Sequence, residues 1–264
     1  MLAAERRRYI LAAAVARGAV RVIDLAESLD VSEMTIRRDL DRLEEAGELT
    51  KVHGGAVRTG ASAAARGSEP MSAHKAERDT AEKRAIATTA AALVEDGMTV
   101  AIGAGTTTLE LARLLRGRPI AVVTNSISIF HVLTDPTGDM MDGSAVQLTG
   151  GQRTPSDALV GPVANAMLER VRCDRAFLGT HGIDPTAGFT SPNIGEAETN
   201  RRLIGTARVT HMLADHTKFG EIGAHLFAEF SAVGGLITDA GLGPAAREAL
   251  ADVLALTIAN GGPE

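Results

Sequence analysis

Two groups of residues in this chain have types and spacing that could do chemistry. In the first, Thr35, Arg37, Arg38 and Asp41, with Arg42 beside them, are interleaved with Ile36, Leu40 and Leu43, which recur at i, i+4 and i+7. That period puts the apolar residues on one helical stripe and the polar ones off it. Arginine can donate two hydrogen bonds to a guanine edge, so a short basic face backed by a buried stripe suits the major groove. In the second group, Gly103, Gly105, Thr106, Thr107 and Thr108 follow an apolar run and open a helical one. Glycine admits close backbone approach, and free N–H groups with hydroxyls can hold phosphate oxygens. The run is neither a Walker A loop nor a complete G-x-G-x-x-G, because Thr108 stands where the third glycine would be. Lys218 could add positive charge. Taken alone, such a turn is more often a plain strand–helix connection, and Lys218 reads slightly better as a solvated loop lysine.

The first group needs a scaffold, and its neighbours supply one. Ser32 is suited to cap the helix that carries Thr35 to Leu43. Ile23 to Leu29 reads as a shorter helix with Leu25, Ala26 and Leu29 inward, and Asp30-Val31-Ser32 as the turn between the two. Gly47 stands where a helix end favours a left-handed residue. Leu49 to Val52 alternates as a strand, His53-Gly54-Gly55-Ala56 is a tight turn, and Val57-Arg58 begins a return strand. The spacing therefore predicts a winged helix-turn-helix over residues 1–58.

Arg6-Arg7-Arg8 before the apolar run from Tyr9 to Ala16 imitates a signal peptide. The run is short, however, and Ile10, Leu11, Ala14 and Val15 make a helical face, so it is expected to be the first helix of the head. Net charge is −6, an unpromising value for a DNA-binding chain. Residues 1–58 hold ten basic and ten acidic side chains, while the remainder holds 17 and 23. The basic residues of the head cluster at Arg6–Arg8, Arg37–Arg42 and Lys51–Arg58, and location matters more than the total. A neutral head predicts modest non-specific affinity, and hence two or more heads on a repeated operator.

The second group also needs a scaffold. Residues 59–72 are small, polar and aperiodic, which reads as a linker. Ala73 to Glu95 reads as a helix with Ile86, Ala90, Leu93 and Val94 inward. Apolar runs and helical periods then alternate, with strands expected at 99–102, 120–123, 145–148, 176–178, 209–214, 235–238 and 254–258. Helices are expected between them at 109–115, 126–133, 163–170, 196–204 and 245–251, and residues 135–143 as a surface loop. Such alternation predicts an α/β domain with a mostly parallel sheet over residues 73–264. In these folds ligands sit beyond the carboxyl ends of the strands. The residues there are Gly103 to Thr108, Thr124-Asn125-Ser126, Gly150-Gly151-Gln152, Gly179-Thr180-His181-Gly182 and Asp215 to Gly220.

Several combinations across the chain resemble one known family. Glu5-Arg6-Arg7, Leu25-Ala26-Glu27, Val31-Ser32, Thr35-Ile36-Arg37-Arg38-Asp39-Leu40 and His53-Gly54-Gly55-Ala56 resemble the signature of the DeoR family of bacterial transcriptional regulators. Further matching pieces are Gly105 to Thr108, Thr124-Asn125-Ser126, Gly150-Gly151, Asp174 with Phe177-Leu178-Gly179, Gly188-Phe189-Thr190, Glu196-Ala197-Glu198 and Asp215 with Lys218-Phe219-Gly220. The resemblance implies a winged helix joined to a sensor domain that is similar to ribose-5-phosphate isomerase and binds phosphorylated sugars. It implies DNA-facing roles for Arg7, Ser32, Thr35, Arg37, Arg38, Arg42, Lys51, His53 and Gly54. It implies an effector site made by Gly103, Gly105, Thr106, Thr107, Thr108, Thr124, Asn125, Gly150, Gly151, Glu196, Asp215 and Lys218, with the threonine loop on phosphate and Asn125, Glu196 and Lys218 facing the sugar. Asn200 stands where the family usually has lysine, and His181 replaces an acidic or polar residue, so the effector is expected to differ in size or charge.

Other side chains carry less. His211, His216 and His225 lack convergent metal geometry, and no cofactor is expected. Glu196 and Glu198, two apart on a helix, point in different directions. The single cysteine, Cys173, excludes an intrachain disulfide, suits a reducing cytoplasm, and is expected in the core. No stretch reaches membrane-spanning length. The expected protein is a cytoplasmic, homo-oligomeric repressor that binds double-stranded operator DNA and is released by a phosphorylated sugar. Its rivals are a sugar-phosphate isomerase with a DNA-binding head, using Glu196 as base and Lys218 as cation, and a constitutive DNA binder whose α/β domain only oligomerises.

Overall fold

In the computed structural model, the described residues are 3–17, 19–45, 49–52, 55–58, 80–135 and 145–259. Gly47, His53 and Gly54 of the expected turn, the expected linker at 59–72, the start of the expected helix at Ala73 and most of the expected loop at 135–143 lie outside them. The chain divides into two compact units, Met1–Arg66 and Gly67–Glu264.

The first unit comprises α1 (Ala3–Arg17), β1 (Ala19–Arg21), α2 (Val22–Leu29), α3 (Glu33–Glu45), β2 (Leu49–Val52) and β3 (Gly55–Arg58). Ile10 and Ala14 of α1, Val22 and Leu25 of α2, and Ile36, Leu40 and Leu43 of α3 converge on one core. The apolar run after Arg6–Arg8 is thus a packed helix. Ala26 and Leu29 are only partly buried, and Val22, one residue before the expected helix, is buried instead. Between α2 and α3, Asp30 adopts the left-handed region with φ 49°, which aspartate tolerates better than most residues. Its N–H and that of Val31 donate back to Glu27 and Ala26, closing the turn.

The wing has three strands rather than two, because β1 joins the hairpin in the antiparallel order β1–β3–β2. Ala19 to Arg21 is too short to announce itself as a strand. The return strand starts at Gly55 rather than Val57, since Gly55 and Ala56 pair with Arg21 and Val20. A Cβ at Gly55 would lie 2.1 Å from the Val20 carbonyl oxygen, so glycine is required there.

The second unit is built on a seven-stranded parallel sheet. In chain order its strands are β4 (Thr99–Ile102), β5 (Ala121–Thr124), β6 (Ala145–Leu148), β9 (Cys173–Leu178), β12 (Ala207–Leu213), β14 (Gly235–Asp239) and β15 (Leu256–Ala259). Their spatial order is β15–β14–β12–β9–β4–β5–β6. On one face, Val100, Ile102 and Phe177 pack against α4 (Thr80–Ala91), α5 (Thr106–Leu115) and α6 (Ile127–Thr134). On the other, Ala101, Ala176 and Leu178 pack with α7 (Pro162–Leu168), α8 (Ile194–Thr206) and α9 (Pro244–Ala251). Cover on both faces explains why the central strands read as continuous apolar runs.

Elements at the strand ends were harder to read. α5 starts three residues before the expected Leu109, and α8 two before Glu196. The described part of the expected 73–95 helix ends at Ala91 and continues as tight turns. A hairpin of β7 (Gln152–Arg153) and β8 (Leu159–Val160) follows β6. A small antiparallel sheet of β10 (Gly182–Asp184), β11 (Gly188–Ser191) and β13 (His225–Ala228) follows β9 and β12. These segments have too few residues for a period.

Candidate functional site

In the first unit, α3 presents one charged face. The Thr35 N–H donates to Ser32 Oγ at 3.2 Å, and the two hydroxyls are 2.9 Å apart, so Ser32 caps the helix and engages Thr35. Met34, Arg37, Arg38 and Arg42 are exposed. Arg37 donates to Glu33 one turn earlier at 3.0 Å, a surface pair that screening leaves weak and exchangeable. Arg7 is half-buried, and Arg6 turns inward to Asp39. Lys51 lies in β2, and His53 and Gly54 fall outside the described residues.

In the second unit, the chain runs outward from β4 through β5 to β6, then returns to β9 on the other side of β4. The carboxyl ends of β4 and β9 therefore flank the point where strand order reverses, the usual place for a ligand in an open α/β sheet. Gly103 to Thr108 leaves β4 there, with the Gly103 N–H donating to the Phe177 carbonyl of β9 at 2.9 Å. α5 begins at Gly105 without a side-chain cap. Thr107 and Thr108 are buried, and Thr108 Oγ1 donates to the Gly103 and Gly105 carbonyls at 2.7 and 3.0 Å. The Thr108 proton thus shapes the loop, and no N-cap side chain reaches the first N–H groups of α5.

The next loop is internally bonded. Thr124 Oγ1 donates to the Ile102 carbonyl at 2.7 Å and accepts from the Ser126 N–H at 3.0 Å. Asn125, 1% exposed, ties two loops together. Its Oδ1 accepts from the Ala104 N–H at 2.9 Å, and its Nδ2 donates to the Leu159 carbonyl at 3.2 Å. Gly150 and Gly151 have φ of 72° and 119°, and a Cβ on Gly151 would meet the Val160 carbonyl oxygen at 2.5 Å. Backbone geometry alone accounts for both glycines.

The β7–β8 hairpin was not anticipated as part of this face. Asp157, at φ 68°, accepts from Ser128 Oγ and Arg153 Nε, each at 2.6 Å. Burial raises its carboxyl, but these donors outweigh burial and hold it below the usual carboxylate range. Thr154 Oγ1 donates to Glu196 Oε1 at 2.6 Å, and the Ser156 hydroxyl donates to the same oxygen. Glu196 is buried at the start of α8, while Glu198 is exposed. Asn193 caps α8 by accepting from the Gly195 and Glu196 N–H groups. The order Asn193-Ile194-Gly195-Glu196 is a legible capping pattern, but the glutamate is drawn across to the hairpin.

The last loop contains Asp215 to Lys218. Asp215 is buried and caps a short 3-10 turn, accepting from the Thr217 N–H at 3.1 Å and from its hydroxyl. Lys218 ends that turn and is partly exposed. His216 Nδ1 lies 2.8 Å from Asp239 Oδ2 at the end of β14. Burial raises the Asp239 carboxyl, but N–H groups of His216 and Gly241 and the His216 ring hold it low. The sequence carried no sign of this pair, whose members are 23 residues apart. Among the described residues there is no cluster of metal-ligating side chains, and no helix is long and apolar enough to cross a membrane. Cys173 is buried in the core, and burial pushes its thiol up.

The comparisons with known proteins divide the chain in the same way. A family described as the DeoR-like helix-turn-helix domain matches residues 6–60, and one described as the DeoR C terminal sensor domain matches residues 78–240. The chain is similar to the lactose phosphotransferase system repressor of Staphylococcus aureus (strain NCTC 8325 / PS 47), 34% identical over 84% of this chain and 86% of that one. It is also 34% identical to an uncharacterized HTH-type transcriptional regulator, FruR, of Bacillus subtilis (strain 168), over 91% of this chain and 92% of the other. A ribose 5-phosphate isomerase A from Methanocaldococcus jannaschii aligns at 18% identity over 52% of this chain and 53% of its own, with a TM-score of 0.37. That likeness is too partial to argue from.

Proposed function

The chain is a member of the DeoR family of transcriptional regulators, and on that premise we propose that it represses a sugar or sugar-alcohol utilisation operon until a phosphorylated sugar binds its α/β unit. It is a DNA-binding transcriptional regulator with a helix-turn-helix head and a sensor domain. The name of the Staphylococcus aureus relative supports a sugar-linked operon.

One observation carries the effector reading. At the carboxyl ends of adjacent strands, α6 is capped by a side chain and α5 is not. The uncapped end lies where strand order reverses, with N–H groups and threonine hydroxyls free to accept a phosphate. In this reading Thr106, Thr107 and the backbone from Gly105 hold the phosphate and Lys218 adds charge. Asn125 and Asp215 keep the loops in place, and Glu196 exchanges its hairpin hydroxyls for those of the sugar. The names of the relatives, a repressor and a transcriptional regulator, favour this reading over the isomerase alternative with Glu196 as base.

On the DNA side, α3 enters the major groove with Thr35, Arg37 and Arg38 toward base edges and Ser32, Arg7 and Arg42 toward phosphates, and Lys51, His53 and Gly54 add further DNA contacts. Exposure of Arg37, Arg38 and Arg42 supports this. Effector binding shifts the population away from the DNA-competent arrangement. Oligomerisation through the α/β unit brings heads together on a repeated operator.

The test is operator release followed by fluorescence anisotropy, with a panel of phosphorylated and unphosphorylated sugars. Release by a phosphosugar without turnover is expected. Turnover of the phosphosugar would favour the isomerase, and no response to any sugar would leave the unit as an oligomerisation module.

A further inference from the structure

Arg6, Arg7 and Arg8 form one basic cluster in the sequence, and the fold separates them. Arg8 is exposed and Arg7 half-buried, but the Arg6 side chain is only 12% exposed. Its Nε donates to Asp39 Oδ2 at 2.5 Å, and the Asp39 side chain is 6% exposed. Asp39 stands three residues after Ile36 and four before Leu43, on the side of α3 that packs into the core with Ile10 and Ala14 of α1. The two residues just before it, Arg37 and Arg38, point to solvent.

The two kinds of contact between α1 and α3 constrain different things. Apolar burial is non-directional, so the stripe of Ile36, Leu40 and Leu43 resists separation more than it resists rotation about the helix axis. A charge-assisted hydrogen bond to one nitrogen is directional. Any rotation of α3 that swings Arg37 and Arg38 also pulls Asp39 off Nε. Ion pairs removed from water are a poor source of stability compared with packed hydrophobes, and fixing register is their best-attested use.

We infer that Arg6 is a positioning residue for operator recognition. Through Asp39 it fixes the rotation of α3, and so which base edges Arg37 and Arg38 can reach, and it makes no phosphate contact itself. The inference rests on the reading of α3 as the groove helix.

The experiment uses the full chain and two duplexes of roughly three helical turns. One is selected by the wild-type chain from a random pool, and the other is an unrelated sequence. Anisotropy titrations at several salt concentrations compare wild type with Arg7→Ala, Arg6→Lys and the double change Arg6→Met with Asp39→Leu. The double change removes both charges, so no lone buried charge opposes folding. It is expected to keep the circular dichroism and melting of the wild type, yet to lose about tenfold or more on the selected duplex and little on the unrelated one. Its salt slope stays at the wild-type value, whereas Arg7→Ala lowers the slope by about one. Arg6→Lys, which keeps the charge and the fold but not the Nε direction, weakens the selected duplex alone.

Wild-type affinity for the selected duplex in both Arg6 variants would make the pair merely structural and overturn the inference. A salt slope reduced by about one in the double variant would make Arg6 a phosphate contact and also overturn it. Failure of the groove reading would look different. Arg37→Ala and Arg38→Ala would then leave the selected duplex bound as tightly as before, whatever Arg6 does.

Discussion

α5 and α6 begin at the carboxyl ends of neighbouring strands, β4 and β5, and they begin differently. α6 is capped by Ser126, whose Oγ accepts from the Ile129 N–H at 3.2 Å. α5 starts at Gly105 with no N-cap side chain on its first N–H groups, and the Thr108 hydroxyl donates back to Gly103 and Gly105. A helix start leaves unpaired N–H groups and a partial positive charge. Where a side chain satisfies them the end is a joint of the fold. Where none does, the end is open to an anion. Serine and threonine therefore mean different things one strand apart.

The sharpest way to break this comparison is to remove the groups proposed for the anion. Thr107→Ala and Lys218→Ala are each expected to weaken phosphosugar binding roughly ten- to hundredfold, since a charge-assisted hydrogen bond contributes about 1.5–3 kcal/mol. Operator affinity without effector stays at the wild-type value, giving a repressor that cannot be induced. Isothermal titration with the phosphosugar, beside anisotropy on the operator, measures both. Undiminished binding in both variants would make the open end of α5 an ordinary connection.

Thr108→Val tests whether that hydroxyl belongs to the fold. Its loss takes the hydroxyl donor from the buried Gly103 carbonyl, while the Gly105 carbonyl keeps the Leu109 N–H, and should lower unfolding free energy by about 1–3 kcal/mol in urea titration. A fully stable variant with impaired effector binding would instead place Thr108 among the ligand contacts. Ser126→Ala is the counterpart on α6. Loss of an N-cap should cost about 1 kcal/mol of stability while effector affinity is unchanged. If effector affinity falls and stability holds, the two helix ends are alike after all.

The smallest effect concerns acid. Asp157 and Asp239 have carboxyls held below the usual range by their donors. A depressed native pKa contributes stability that is present above the unfolded value, near pH 4, and is lost as pH falls through the native one. Asp157→Asn and Asp239→Asn should each flatten the fall of stability below about pH 4 and leave its shape between pH 6 and 8 unchanged. Circular dichroism melts across that range would detect it, and an unchanged acid limb would mean the carboxylates are equally well solvated when unfolded.

The fold was legible where a period was long enough to see. The stripe Ile36, Leu40 and Leu43, the cap at Ser32 and the alternation of apolar runs with helical segments all appear as expected. The loops at the strand ends were legible as a set, because the strand–loop–helix order places them on one face. What could not be read were short elements and distant partners. β1 has three residues, and the β7–β8 hairpin has two-residue strands whose contacts with Asn125, Ser128 and Glu196 come from distant parts of the chain.

Local periodicity and capping are enough to read off the two units, the helix α3 with its outward arginines, and the parallel sheet. Which similar residues do different work is settled by packing between distant segments. It turned Arg6 inward to Asp39 while leaving Arg8 in solvent, and it gave the Glu196 carboxylate to a hairpin 40 residues earlier. It also paired His216 with Asp239 across two strand ends. The physical reason is that a hydrogen bond needs a partner within about 3 Å in the right direction. Spacing along the chain fixes that only within a turn or a helix, and between distant segments the packing of the sheet fixes it.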